Sequence, residues 1–124
     1  MSARRYIQEI TSVTVDTVLT PLLANTRLGD VYDALLFAVI NDSLVNPVTV
    51  TVQTGEDSTA VDAQAVFTFD VPVKVGSVPG QNSLLLAPPL LRTYWRVSAQ
   101  ASGGQASVRW LLKGEPKPER GHRT

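Results

Sequence analysis

The side chains able to do chemistry are few, and their spacing nominates no reaction. His122 is the only histidine and lies at the very end of 124 residues, where nothing preorganises an imidazole as general base or metal ligand. Carboxylates are densest at Glu56, Asp57, Asp62 and Asp70. A loop of this kind could offer oxygen ligands to calcium, but the spacing matches no EF-hand pattern, and a solvated loop is the plainer reading. Glycoside hydrolysis needs two carboxylates on either side of the scissile bond. Strand topology could bring Asp16, Asp33 or Asp70 together, yet no local pattern selects a pair. Cysteine is absent, so there is no thiolate site and no disulfide framework. The chain has no GxSxG elbow, HExxH, GxxxxGK[ST] or helix-opening GxGxxG. The expectation is a protein that is not an enzyme and needs no cofactor or metal.

Contact residues are better represented. Tyr94, Arg96 and Arg109 could form an aromatic and basic face for a sugar or a single-stranded nucleic acid, by stacking and charge; strand surfaces also carry such mixtures without a ligand. Arg4, Arg5 and Tyr6 make a smaller cluster, read either as a docking segment or as an ordinary chain start. After Leu112 the sequence turns to KGEPKPERGHRT. Its default reading is a solvated tail, and its functional reading an arm in which Lys117, Arg120 and Arg123 meet an acidic surface or a neighbouring subunit. Overall, 11 basic and 11 acidic side chains cancel, which removes the broad positive field of a general nucleic-acid binder. The longest apolar run, residues 34–40, falls far short of the ~20 residues that cross a bilayer as a helix. MSARRYIQEI lacks the apolar core of a secretory signal, which points to synthesis in a cytosol. Neither a nucleic acid nor a membrane is expected as partner.

The elements that must carry these residues read as β-strands. A chain with 44% hydrophobic and 18% charged residues is globular, and its length suits one domain with a sizeable core. Residues 7–19 alternate as a long N-terminal strand, with a short helix conceivable at 21–24 and a turn at 25–30. Residues 34–40 and 48–54, joined by NDSLVNP, read as a hairpin with Val48, Val50 and Val52 opposite Asn41, Val39 and Phe37. That pairing leaves Leu36, Ala38 and Ile40 as a second apolar row in need of a cover. Residues 55–65 read as a polar loop, residues 66–75 as a strand sent to a sheet edge or broken by Pro72, and residues 83–86 as a short strand.

YWRVSAQASGGQASVRWLLK, residues 94–113, reads as a hairpin around Gly103-Gly104. Trp95, Val97, Ala99 and Ala101 then fall opposite Leu112, Trp110, Val108 and Ala106 on one apolar face. Tyr94, Arg96, Ser98 and Gln100 fall opposite Lys113, Leu111, Arg109 and Ser107 on the other, making Arg96 and Arg109 diagonal neighbours. A one-residue slip would destroy this separation. The expected fold is all-β: an antiparallel β-sandwich or small jelly-roll-like barrel of about seven strands with extended termini. Residues 1–30 would form a strand or arm and turn, 31–113 the sandwich core, and 114–124 the polar tail.

The order FAVINDSLVNPVTVTVQTG, a proline-broken strand, and LAPPLLRTYWRVSAQASGGQASVRWLLKG, over about residues 34–114, resembles small β-sandwich structural proteins of tailed bacteriophages, notably capsid decoration (cement) proteins. The resemblance implies a homo-oligomer, a trimer being favoured, that is made in the host cytoplasm and carried on the virion. Terminal arms would reach the major capsid protein or another virion protein. The chain offers no motif specific to a capsid site, so a head-fibre or tail component stays open. A carbohydrate-binding module using Tyr94 and Arg96, helped by calcium at the acidic loop, is the alternative from another class. Its weakness is that Trp95 and Trp110, the natural stacking platforms, are assigned to the core.

Overall fold

Valine alternates with threonine through VTVTVQTG, and this segment folds as a strand whose valines are buried and whose threonines at positions 49 and 51 look outward. The same period-2 logic builds every element of the computed structural model, which describes residues 6–27, 32–56, 65–86 and 93–116. The strands are β1 (Tyr6–Val15), β2 (Thr20–Arg27), β3 (Tyr32–Asn41), β4 (Val48–Gly55), β5 (Ala65–Val71), β6 (Gly80–Leu86), β7 (Tyr94–Ala101) and β8 (Ala106–Pro116). They form two four-stranded sheets, ordered β1-β8-β3-β6 and β2-β7-β4-β5. All six pairings are antiparallel. The first and last strands are neighbours, and every connection except β4 to β5 passes from one sheet to the other. This is the strand order of the eight-stranded jelly roll, two interleaved Greek keys in which the sheets face each other and do not close into a barrel.

The core lies between the sheets. Leu35, Phe37 and Val39 of β3, Val108, Trp110 and Leu112 of β8, Val50 and Val52 of β4, and Trp95, Val97 and Ala99 of β7 are all buried. Phe37 and Trp110 stack with ring centroids 5.3 Å apart, a geometry that adds to the area they bury. Every inward residue expected from the alternation of residues 94–113 is buried.

The two expected hairpins do not form. β7 pairs with β2 and β4, and β8 with β1 and β3, so residues 102–105 arch from one sheet to the other. Likewise β3 and β4 lie in different sheets, joined by an arch at residues 42–47. The physical reason is a degeneracy of the pattern. Alternation sets which side chains face the core, and a hairpin and an inter-sheet arch both bring two apolar rows together. A hairpin lays them side by side, whereas an arch opposes them across the ~10 Å between packed sheets. The lateral partners decide: Val97 meets Val52, and Trp95 meets Thr54, in the plane of one sheet. Gly103 has φ of 90°, a conformation that the arch demands and that an L side chain adopts only under strain.

Two smaller expectations change as well. Residues 21–24 belong to β2, not to a helix, and the long strand at 7–19 breaks at Asp16, whose amide donates to Thr20 Oγ1 at 3.0 Å. Pro72 behaves as expected, because β5 is an edge strand and stops at Val71. Gly80, the first residue of β6, passes so close to the Pro72 carbonyl that a Cβ there would overlap it. The turn expected at 25–30 starts later, because residues 25–27 belong to β2; residues 28–31, 57–64 and 87–92 and both chain ends lie outside the described residues.

Candidate functional site

No group of three or more histidine, aspartate or glutamate side chains able to hold a metal occurs among the described residues. The expected acidic cluster is split where it is described. Asp70 accepts a hydrogen bond from Thr49 Oγ1 (2.9 Å) near the start of β4, while Glu56 accepts one from Thr93 Oγ1 (2.6 Å) beyond its end. Those positions are roughly 20 Å apart along the strand. Asp16 lies in the β1–β2 turn, where its Oδ1 accepts the Thr17 amide (2.9 Å), and Asp33 lies on β3. Asp57, Asp62 and His122 fall outside the described residues.

The expected Tyr94, Arg96 and Arg109 platform is divided between the two sheets. Tyr94 and Arg96 are on β7, where Arg96 Nε donates to Gln53 Oε1 at 3.1 Å. Arg109 is on β8, on the opposite outer face, so the two arginines are not diagonal neighbours. Its guanidinium instead grips Asp42 with a two-pronged bond, Nε to Oδ2 at 2.8 Å and Nη2 to Oδ1 at 2.9 Å. The hydrogen bonds from Arg109 hold the Asp42 carboxyl below its ordinary value of 3.8, with partial burial opposing and the charges of Arg109 and Lys74 assisting. The same partnership raises the Arg109 guanidinium.

Leu36, Ala38 and Ile40 are half-buried on the outer face of their sheet. β1 lies beyond β8 in the same sheet and so does not cover them. Ala38 and Ile40, with Gln81, Ser83 and Leu111, line an open groove of about 540 Å³. Tyr6 begins β1 opposite Gly114 of β8. The chain therefore enters and leaves on adjacent strands at one end of the sandwich, which is where the segments bearing Arg4 and Arg5, and Lys117, Arg120 and Arg123, are rooted. Those five residues themselves lie outside the described set.

The opposite end holds a feature that sequence reasoning missed. Val15 pairs with Ala106, Asn41 with Gly80, and Val48 with both Val71 and Ala101, so the β1–β2, β3–β4, β5–β6 and β7–β8 connections gather there. Three of these loops expose apolar pairs: Val18 and Leu19, Leu44 and Val45, and Val75 and Val78. Leu44 is 62% exposed and Val45 77%, values that leave most of their surface available to a partner.

These loops are stitched in place. Buried Asn41 donates to Asn46 O (3.0 Å) and accepts the Ser43 amide (2.9 Å), while Ser43 Oγ accepts the Asn46 amide (3.0 Å). Asn46 Nδ2 reaches Gln105 O (2.9 Å), and the Ser102 amide donates to Pro47 O (3.0 Å), so the two arches are bonded to each other. The Lys74 amide ties the β5–β6 loop to Ser43 O (2.7 Å), and within that loop Val75 and Val78 exchange backbone bonds around Gly76. Gln100 Nε2 holds the β1–β2 turn through Thr17 O (2.7 Å). The apolar tips are thus preorganised, which lowers the entropy a partner must remove on binding. Charge is sparse nearby among the described residues: Asp42 and Arg109 neutralise each other, leaving Lys74, Asp16 and Asp70, the last of which accepts a hydrogen bond from Thr49. The available sequence signal was Leu44-Val45 inside NDSLVNP, an apolar pair where turn chemistry supplies every other residue. No protein-family model matches this chain, and no curated protein matches it either.

Proposed function

We propose that the protein is a virion structural component, a capsid decoration or cement protein that binds the assembled shell and stabilises it. The observation that carries this reading is the end of the jelly roll where Val18, Leu19, Leu44, Val45, Val75 and Val78 are exposed on hydrogen-bonded loops. Exposed apolar clusters on rigid supports mark interaction surfaces. Burying a valine or leucine fully is worth about 1.5–3 kcal/mol, so covering part of six such side chains supplies the driving force for docking without any chemistry. A partner that binds only the assembled lattice stabilises that lattice by mass action. The jelly roll itself recurs in viral capsid domains, lectin domains and cupins, and this support is fold-level analogy alone. In this reading the apolar loops face the major capsid protein and further copies associate laterally. A sugar-binding alternative would rest on Tyr94 and Arg96 alone, because both tryptophans are buried.

The test is made on particles. Val45→Asp keeps the fold and abolishes incorporation, and particles lacking the protein lose resistance to heat and low salt. Absence of the wild-type protein from purified particles removes the virion reading. Its location on the tail alone reassigns it to a tail component.

A further inference from the structure

The four sheet edges are not equally protected against pairing. Natural sheets blunt their edges with charge, proline or bulges. β1 carries Glu9 and a register shift between Gln8 and Thr11. β2 contains Pro21, shifts register twice and ends in Arg27. β5 has Asp70 next to its end, and Pro72 follows. β6, GQNSLLL, has none of these devices: it is uncharged and proline-free, and it runs in unbroken register with β3 from Leu86 opposite Leu35 to Gly80 opposite Asn41. Among the described residues nothing pairs with its outer side. It also borders the apolar groove, with Leu85 63% exposed beside half-buried Leu36.

We infer that β6 is a self-association edge, at which two copies pair antiparallel about a two-fold axis and merge their β1-β8-β3-β6 sheets into one continuous sheet. A second copy is the occupant that fits, because this edge carries no charge, proline or register break that would oppose the same edge of another copy. With the axis at Ser83, that residue meets its own counterpart, Gln81 meets the other copy's Leu85, and Asn82 meets its Leu84. Within the paired strands no charge is buried and no like charges are opposed. Among the described residues, the outer face of the sheet beside β6 carries Lys113, opposite Leu36, and Arg109, opposite Ile40 and already neutralised by Asp42. Leu85, exposed in one copy, becomes flanked by a neighbouring strand. In the single chain the Ser83 amide donates to Asn82 Oδ1 (2.9 Å) and Asn82 Nδ2 to Asp70 O (2.8 Å). Pairing exchanges the first of these local bonds for one in a ladder between copies. The contact is isologous and closes on itself, which limits it to two copies.

The inference names a surface for self-association and does not depend on any particle, so it is tested on the purified full-length protein. Sedimentation velocity over a concentration series is expected to show a monomer–dimer equilibrium. Ser83→Lys, at an exposed position, weakens it by about tenfold or more, and mixing Ser83→Lys with Ser83→Glu restores a dimer of the two variants. Because the chain has no cysteine, Ser83→Cys gives a clean cross-link. Directly opposed strand residues have Cα atoms about 4.5–5.5 Å apart, within disulfide reach, so oxidation couples two copies at that position and not in the exposed edge control Thr68→Cys. A wild-type protein that stays monomeric, an oligomer indifferent to Ser83→Lys, or equal cross-linking at both cysteines overturns the inference. Loss of particle binding with an intact dimer counts against the proposed function alone.

Discussion

Asn41→Ala is expected to be the most damaging change available at a polar side chain of the loop end. Asn41 has no exposed surface and makes two hydrogen bonds, donating to Asn46 O and accepting from the Ser43 amide. Truncation leaves one carbonyl and one amide without partners in a part-buried setting, and each such group costs about 1–3 kcal/mol. The sum is about 2–4 kcal/mol after partial rescue by solvent, a large share of the 5–15 kcal/mol typical of a domain. In a domain of this size that corresponds to a fall in Tm of roughly 6–20 °C. Urea unfolding followed by tryptophan fluorescence measures it, with an unchanged m-value showing that the same surface is exposed. Asn41→Ser, able to accept but too short to span to Asn46, should fall between wild type and alanine. A loss below about 1 kcal/mol for Asn41→Ala would refute the idea that this side chain organises the arch. The reading would also fail if the variant lost stability while proteolysis of the Leu44–Val45 loop stayed unchanged, since Asn41 would then act elsewhere.

Three further outcomes follow from the same geometry. Asp42 has a lowered folded-state value, so its contribution to stability is complete above the unfolded carboxylate range near ~3.9 and is lost as pH falls through the lower folded value. Arg109→Met should flatten that acid limb in unfolding curves taken from neutral pH downward, with little change in its shape at neutral pH; an unaltered limb rules the coupling out. Gly80→Ala forces the β5–β6 loop away from the Pro72 carbonyl and should destabilise by about 1–3 kcal/mol, whereas Gly76→Ala meets no neighbour and bears only the strain of its positive φ. Equal stabilities of the two variants by thermal unfolding would contradict the close approach. Val45→Asp should change stability by no more than about 0.5 kcal/mol, as an exposed substitution, and its near-native Tm separates a docking defect from a folding defect.

Much of the candidate site was illegible in the sequence for a reason visible in its residues. Val18, Leu19, Val75 and Val78 have the same chemistry as Val15 and Val71, which are buried. Nothing local distinguishes a valine closing a strand from an apolar residue exposed three to seven residues later in a turn. Arg109 was legible as an outward cation, but Asp42 is 67 positions away in sequence, and only strand pairing brings them together. The edge position of β5 was legible because Pro72 lacks an amide proton, a chemical fact independent of context. That β6 is the unprotected edge needed the strand order as well as its composition.

By itself, the sequence determined the faces. Alternation through residues 34–41, 48–54, 94–101 and 106–112 decides which side chains leave water, because successive residues of a strand point to opposite sides and the apolar set lies on one of them. Tertiary structure alone decided which strands are neighbours. β7 and β8, and β3 and β4, could each have folded back as hairpins with the same residues buried. They arch between sheets instead, because β1 and β3 flank β8 while β2 and β4 flank β7. That choice is made by backbone hydrogen bonds with distant segments, and a backbone amide carries no record in the sequence of which strand it will meet.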